Sequence, residues 1–290
     1  RTRPRVRLPA RSGVGVPRRD DLVAGIPARA SKFDAVRGSV YWLGLVAVCI
    51  SGCQSPSAPV KASASGQWTP LVEFATSLEG RTQGQRHNAT LAAKRVHGAT
   101  LAPNATWSFN QTIGQWVRSE GYVRAPVSYG GVLVPAWGGG VCQTSTTLYN
   151  TALLAGLEVL ERHPHTIAPS YIAPGRDAAV AQGIADLKLR NPYPFPCRIE
   201  CFVRGNKLVC RIRAGASAEQ VKQHARACTL ETEVVSLAPA PAVAGFRKQP
   251  GRAGLRVRLW RVYTANGETR RELCHETQYA PLPRGEKASP

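Results

Sequence analysis

Methionine is absent from this chain, and no apolar run reaches eighteen residues. The second absence excludes an ordinary membrane-spanning helix. Acidic side chains are scarce: 18 Asp and Glu face 38 Lys and Arg, a formal net charge of +20. Eight cysteines in 290 residues are too few for a scaffold held together by disulfides. At 43 % hydrophobic and 19 % charged, the chain is no disordered polyampholyte and can bury a core. It holds no internal repeat, no Walker loop and no dinucleotide fingerprint. No lysine follows Gly138-Gly139-Gly140 in phosphate-binding position, so no nucleotide cofactor is expected.

What is present begins with arginine, at 30 residues against 8 lysines. That bias suits a GC-rich bacterial genome, where valine codons can initiate, and Val36 is the expected initiator. Residues 1–35 are Arg- and Pro-rich without periodicity and read as a non-native or disordered leader. Arg37, the apolar run Val40–Ile50 and Ser51-Gly52-Cys53 follow. A basic segment, a short apolar stretch and small residues before a cysteine describe a lipoprotein signal peptide over 36–53, with Cys53 lipidated. Several acyl chains on one residue anchor a protein to a membrane far better than one chain does. Residues 1–37 carry a net +7, which leaves +13 for the rest. A strongly basic domain usually suggests nucleic acid. For an exported chain the expected polyanions are lipid headgroups and wall polymers instead, with no nucleic-acid partner.

Residues 54–67 read as a flexible tether and folded sequence is expected from Trp68. Leu71–Leu78 suggests a strand and Arg86–Val96 a helix. Short strand-and-loop signals run to Val134, and a helix is expected from Cys142 to Ala155, stopped by Gly156. Strands are expected at Leu157–His163, Thr166–Ile172, Ala178–Gln182 and Leu187–Leu189, followed by the hairpin Arg198–Val203/Lys207–Arg213. Its Gly205-Asn206 turn suits type II′ geometry and sets Cys201 opposite Cys210, a disulfide pair. Cys228 and Cys274 are candidates for a second. Residues 215–254 read as a linker, and 255–290 as a small hairpin tail turning at Asn266-Gly267. The fold class is α+β: a Cys142 helix packed on an antiparallel strand meander.

The chemistry concentrates in Gly138-Gly-Gly-Val-Cys142-Gln143. A cysteine in the first turn of a helix meets unsatisfied N–H groups and a positive partial charge, which favour a thiolate. The same amides, with Gln143, can hold an oxyanion. A thiolate nucleophile needs a base, and His163 and His165 follow; Asp177 or Asp186 can orient the imidazole. Cys on a helix, then His, then Asp on successive strands is the order of papain-like and transglutaminase cores. Packing alone explains a buried cysteine equally well. Cys142, His163 and His165 could also ligate zinc, but the compact paired cysteines of structural zinc sites are missing. Trp107, Trp116 and Trp137 are candidates to line a groove.

These blocks together resemble the VanW family, named for an accessory protein of vancomycin-resistance clusters. The likeness runs from Arg86 to Arg213. It includes Arg86-His-Asn88, Ser108-Phe-Asn110, Gly138-Gly-Gly-Val-Cys-Gln143, Ser145-Thr-Thr-Leu-Tyr-Asn150, Glu161-Arg-His-Pro-His165, Gly175-Arg-Asp-Ala178 and Arg190-Asn191. Asn104 stands where the family usually has Gly, and Trp107 where it usually has Phe. The resemblance implies a bacterial-envelope setting and carries Cys142, His163 and His165 as motif positions. The expected activity is a cysteine-dependent acyltransferase or amidase acting on peptidoglycan peptides. The rival expectation is a non-catalytic wall- or glycopeptide-binding module.

Overall fold

The computed structural model describes residues 68–129, 132–239, 243–244, 251–265, 268–282 and 285–286. The leader, signal peptide, Cys53, tether and the Asn266-Gly267 turn lie outside the described residues.

In chain order the first elements are β1 (Thr69–Ser77), α1 (Gln83–Val96), β2 (Thr100–Leu101), β3 (Thr106–Ser108) and α2 (Phe109–Ile113). Then come β4 (Arg124–Tyr129), β5 (Val132–Trp137), α3 (Val141–Leu154), β6 (Glu158–Glu161) and β7 (Lys188–Arg190). The chain continues through β8 (Cys197–Arg204), β9 (Lys207–Ala214), α4 (Ala218–His224) and β10 (Thr229–Pro239). It closes with β11 (Val243–Ala244), β12 (Ala253–Ala265), β13 (Glu268–Tyr279) and β14 (Gly285–Glu286). Among the described residues no helix is long and apolar enough to cross a membrane.

The architecture is α+β. A four-stranded sheet in the order β1-β9-β8-β2 carries α1 and α3. Apolar burial joins them: Ala92, Ala93 and Val96 of α1, Leu148 and Ala152 of α3, and Ile199, Leu208 and Ile212 of the sheet share one core. Thr82 starts α1 with a capping box, accepting from the Gln85 amide while Gln85 accepts from the Thr82 amide. The β8–β9 hairpin has the expected register, with Val203 opposite Leu208 and Cys201 opposite Cys210. Gly205 turns it at φ +58°, and Cys201 and Cys210 form a disulfide.

Three expectations change. Thr166–Ile172 forms no strand, and Ala178–Gln182 makes only isolated bridges, His163 with Ala179 and Ala181 with Ala185. His165 and Asp177 therefore sit in loops held by hydrogen bonds, not on successive strands, and the papain-like order is not confirmed. Residues 215–254, expected as a linker, contain α4 and β10, and β10 is an outer strand of the sheet β10-β12-β13. That sheet packs on the main body through Leu259. Cys228 and Cys274 are free thiols; Cys228 donates to the Leu153 and Leu154 carbonyls.

Asn104, the departure at a family glycine, is the one described non-glycine residue with positive φ, at +59°. Asn enters this left-handed region more readily than other side chains, so the substitution preserves the turn.

Candidate functional site

Helix α3 is unusual in what it buries. From Gln143 to Leu153 every residue is buried, including Thr144, Ser145, Thr146, Thr147, Asn150 and Thr151. Buried hydroxyls and amides cost stability unless they are bonded. Here two polar rows are. One row faces the sheet: Gln143 donates to Thr76 Oγ1 (3.0 Å) and to the Ser77 carbonyl (2.7 Å), and Thr76 pairs with Thr147 (2.8 Å). The other row grips residues 176–178. Ser145 donates to the Ala178 carbonyl (2.6 Å), Thr146 accepts from the Ala178 amide (3.0 Å), and Asn150 donates to the Arg176 carbonyl (2.7 Å). Asp177 lies between these clamps, fully buried.

Cys142 occupies the first turn of α3, half-buried, with its sulfur 3.4 Å from the Val180 carbonyl. His165 is near enough to the Cys142 side chain for each to shift the other's titration. On its other side, His165 Nδ1 lies 2.6 Å from Asp177 Oδ2, which also accepts the His165 amide at 2.8 Å. Nδ1 is thus committed to the carboxylate, leaving Nε2 for the sulfur. The second carboxylate oxygen, Oδ1, accepts from Arg162 Nη2 (2.8 Å) and from the Tyr279 hydroxyl. Arg162 Nε donates to the Asp177 carbonyl (2.7 Å) and Nη1 to Thr277 (2.7 Å), while the Gly175 amide donates to the Tyr279 oxygen (2.7 Å).

These contacts set the charges. Burial pushes the Asp177 carboxyl up, but the His165 hydrogen bond and the Arg162 charge outweigh it and hold it at about 2. Burial pushes His165 down, yet its bonds to Asp177 and Cys142 raise it to about 10. Burial also raises the Cys142 thiol, and its hydrogen bond to His165 and the imidazolium charge more than reverse that. The arrangement favours the thiolate of Cys142 and the imidazolium of His165, with a carboxylate behind them.

The expected site residues therefore divide. Cys142, His165 and Asp177 come together. His163 turns away, its ring 3.0 Å from Glu161 and 42 % exposed. Asp186 is elsewhere too: it accepts from Ser108 Oγ (2.5 Å) and the Asn110 amide (2.9 Å), fastening the start of α2. The Gln143 side chain is spent on β1, and its amide donates to the Gly140 carbonyl at 3.1 Å, so it does not serve as an oxyanion donor. The Cys142 amide has no backbone acceptor among the described residues. Among the described residues no cluster of three or more His, Cys, Asp or Glu is arranged to hold a metal.

The triple glycine has a different role from admitting substrate. A Cβ on Gly140, at φ +112°, would lie 2.2 Å from the Gln85 carbonyl oxygen, and one on Gly139 would lie 2.6 Å from that of Ala125. Buried Asn88 donates to the carbonyls of Gly139 and Val123, both at 2.9 Å. The glycines let α3 start against α1 and β4. Trp116 packs over Gly138, Trp107 meets Phe109 edge-on, and Trp137 is 41 % exposed.

A cleft of about 530 Å³ between β6 and β13 is lined by Arg162, Cys274, His275 and Thr277; it reaches neither Cys142 nor His165. Sequence reasoning missed Arg162, although it lies inside the Glu161-Arg-His-Pro-His165 block. It also missed Tyr279, which no local signal marks.

Comparison with known proteins finds a family likeness over the segment that carries this geometry. The family described as VanW-like protein matches residues 84–213. The chain is 37 % identical over 139 residues to YoaR of Bacillus subtilis, covering 48 % of this chain and 46 % of that protein. It is 31 % identical over 132 residues to the vancomycin B-type resistance protein VanW of Enterococcus faecalis, covering 44 % and 48 % respectively. The chain thus spans about half the length of these curated relatives. No solved structure matches it.

Proposed function

We propose that this chain, whose residues 84–213 match the VanW-like family, is an envelope protein whose Cys142 carries out acyl transfer or amide hydrolysis on peptidoglycan peptides. The observation that carries this reading is the His165–Asp177 pair, 2.6 Å apart, whose imidazole lowers the titration of the Cys142 thiol. The thiolate attacks an amide carbonyl, forming a C–S bond, and the Cys142 amide takes the oxyanion. The His165 imidazolium protonates the departing amine as the C–N bond breaks. A water or a second amine, deprotonated by His165, then releases the acyl group from sulfur. Asp177 holds the imidazole in the tautomer this requires. The envelope setting is supported by the signal-peptide and Ile50-Ser-Gly-Cys53 pattern, in which Cys53 is the lipid-bearing residue.

The test is an activity screen on purified muropeptides with wild type and Cys142→Ala. Trimmed or exchanged peptides with wild type alone are expected. Wall binding by both proteins with no product from either would leave a binding module and end the catalytic reading. Fractionation of the same cells reads the location: wild type goes with membranes and Cys53→Ala is released.

A further inference from the structure

Arg81, between β1 and α1, is a cation without a counter-ion among the described residues, joined to Cys142 through Tyr171. Its guanidinium lies 4.9 Å from the centre of the Tyr171 ring. The Tyr171 hydroxyl donates to the Cys142 carbonyl at 3.3 Å and meets Thr146 at the same distance. The Arg81 charge and the Cys142 charge both act on that hydroxyl, in opposite directions. Among the described residues no acidic side chain pairs with Arg81. Its Nε is buried without any hydrogen-bond partner. Leaving a buried charged donor unmade is costly, and such groups in a native structure call for an explanation.

We propose that Arg81 is a substrate-binding residue: it receives a carboxylate carried by the acyl donor close to the amide that Cys142 attacks. The planar guanidinium matches a carboxylate with two parallel bonds, and its Nε–H is one of the donors such a fork uses. Stacking on Tyr171 fixes the plane in advance, so little side-chain freedom is lost on binding. The substrate class is then a peptide with a free carboxylate next to the cleaved or transferred residue, as at a peptide C-terminus, not an internal amide of an uncharged chain. This inference rests on the nucleophilic reading of Cys142.

Two small alkylating probes separate the two. Iodoacetate and iodoacetamide both react by sulfur displacing iodide; one carries a carboxylate and the other does not. Their rate ratio at Cys142 cancels any change in thiolate fraction. In wild type the iodoacetate-to-iodoacetamide ratio should exceed that of glutathione by about tenfold, roughly 1.4 kcal/mol. Arg81→Gln should return it to the glutathione value, Arg81→Lys should keep part of it, and Arg118→Gln, a charge control elsewhere, should not move it. A wild-type ratio no higher than that of glutathione overturns the carboxylate site even if no variant folds, and so does a ratio unchanged in Arg81→Gln. Slow labelling by both probes overturns the nucleophilic reading instead, and this inference with it.

Discussion

Asp177 has no water to solvate its charge, and four donors replace it: the His165 amide and ring, Arg162 and Tyr279. Its folded pKa of about 2 lies below its ordinary 3.8. A depressed carboxylate contributes stability that is present above the ordinary value and lost as pH falls through the folded one. The size is about 2 kcal/mol. Thermal melting should therefore hold steady down to about pH 4 and fall steeply toward pH 2, and Asp177→Asn should flatten that fall; an unchanged acid profile in the variant would exclude Asp177 as its source. The thiol moves the same way: its pKa lies below the ordinary 9.0, so the thiolate persists as pH drops. Iodoacetamide labelling of Cys142 should therefore decline with acid at a lower pH than that of a free cysteine thiol. In His165→Ala burial remains the largest influence, and the thiol pKa should rise above its ordinary value. Labelling at pH 7 should then drop by about tenfold or more, since each pKa unit is a factor of ten. Equal rates would show that the imidazole does not activate the sulfur.

Element by element, what could be read in the sequence was what repeats. The β8–β9 register followed from one two-residue turn and carried the Cys201–Cys210 disulfide with it. Helix α3 followed from Leu148 and Ala152 on one face. Its polar rows were legible as residues, but their partners at Ala178, Arg176 and Thr76 were not, because hydrogen bonds between distant segments leave no period. β10 escaped notice because it is an exposed outer strand: Glu231, Glu233, Val234 and Val235 all face solvent, so no inside–outside alternation marks it. The glycine start of α3 is the element most sensitive to change. Gly140→Ala sets a Cβ 2.2 Å from the Gln85 carbonyl oxygen in a backbone at φ +112°. Strain and clash together should cost about 3 kcal/mol or more. A chemical-denaturation midpoint close to wild type would show that α1 yields easily and that the close approach is not required.

On the scale of the whole molecule, the residues that support the site extend beyond the family-matched segment at 84–213. Tyr279 and Thr277, on β13, complete the donor sets of Asp177 and Arg162, and His275 bonds the Tyr149 hydroxyl at 2.8 Å. The tail sheet is thus a structural part of the site. Tyr279→Phe removes one donor to a buried charge and should lower stability by about 1.5–3 kcal/mol, with slower Cys142 labelling at neutral pH. Wild-type values for both would assign Tyr279 to packing alone. Distance along the chain gives this arrangement a further consequence. Tyr279 and Asp177 are 102 residues apart, Thr277 and Arg162 115, and His275 and Tyr149 126. Contacts this remote slow folding, and a chain is made from its N-terminal end. An emerging chain that already displays Cys142 still lacks the last clamp on its carboxylate. Synthesis order therefore places the completion of the Asp177 donor set after every other contact described at that carboxylate.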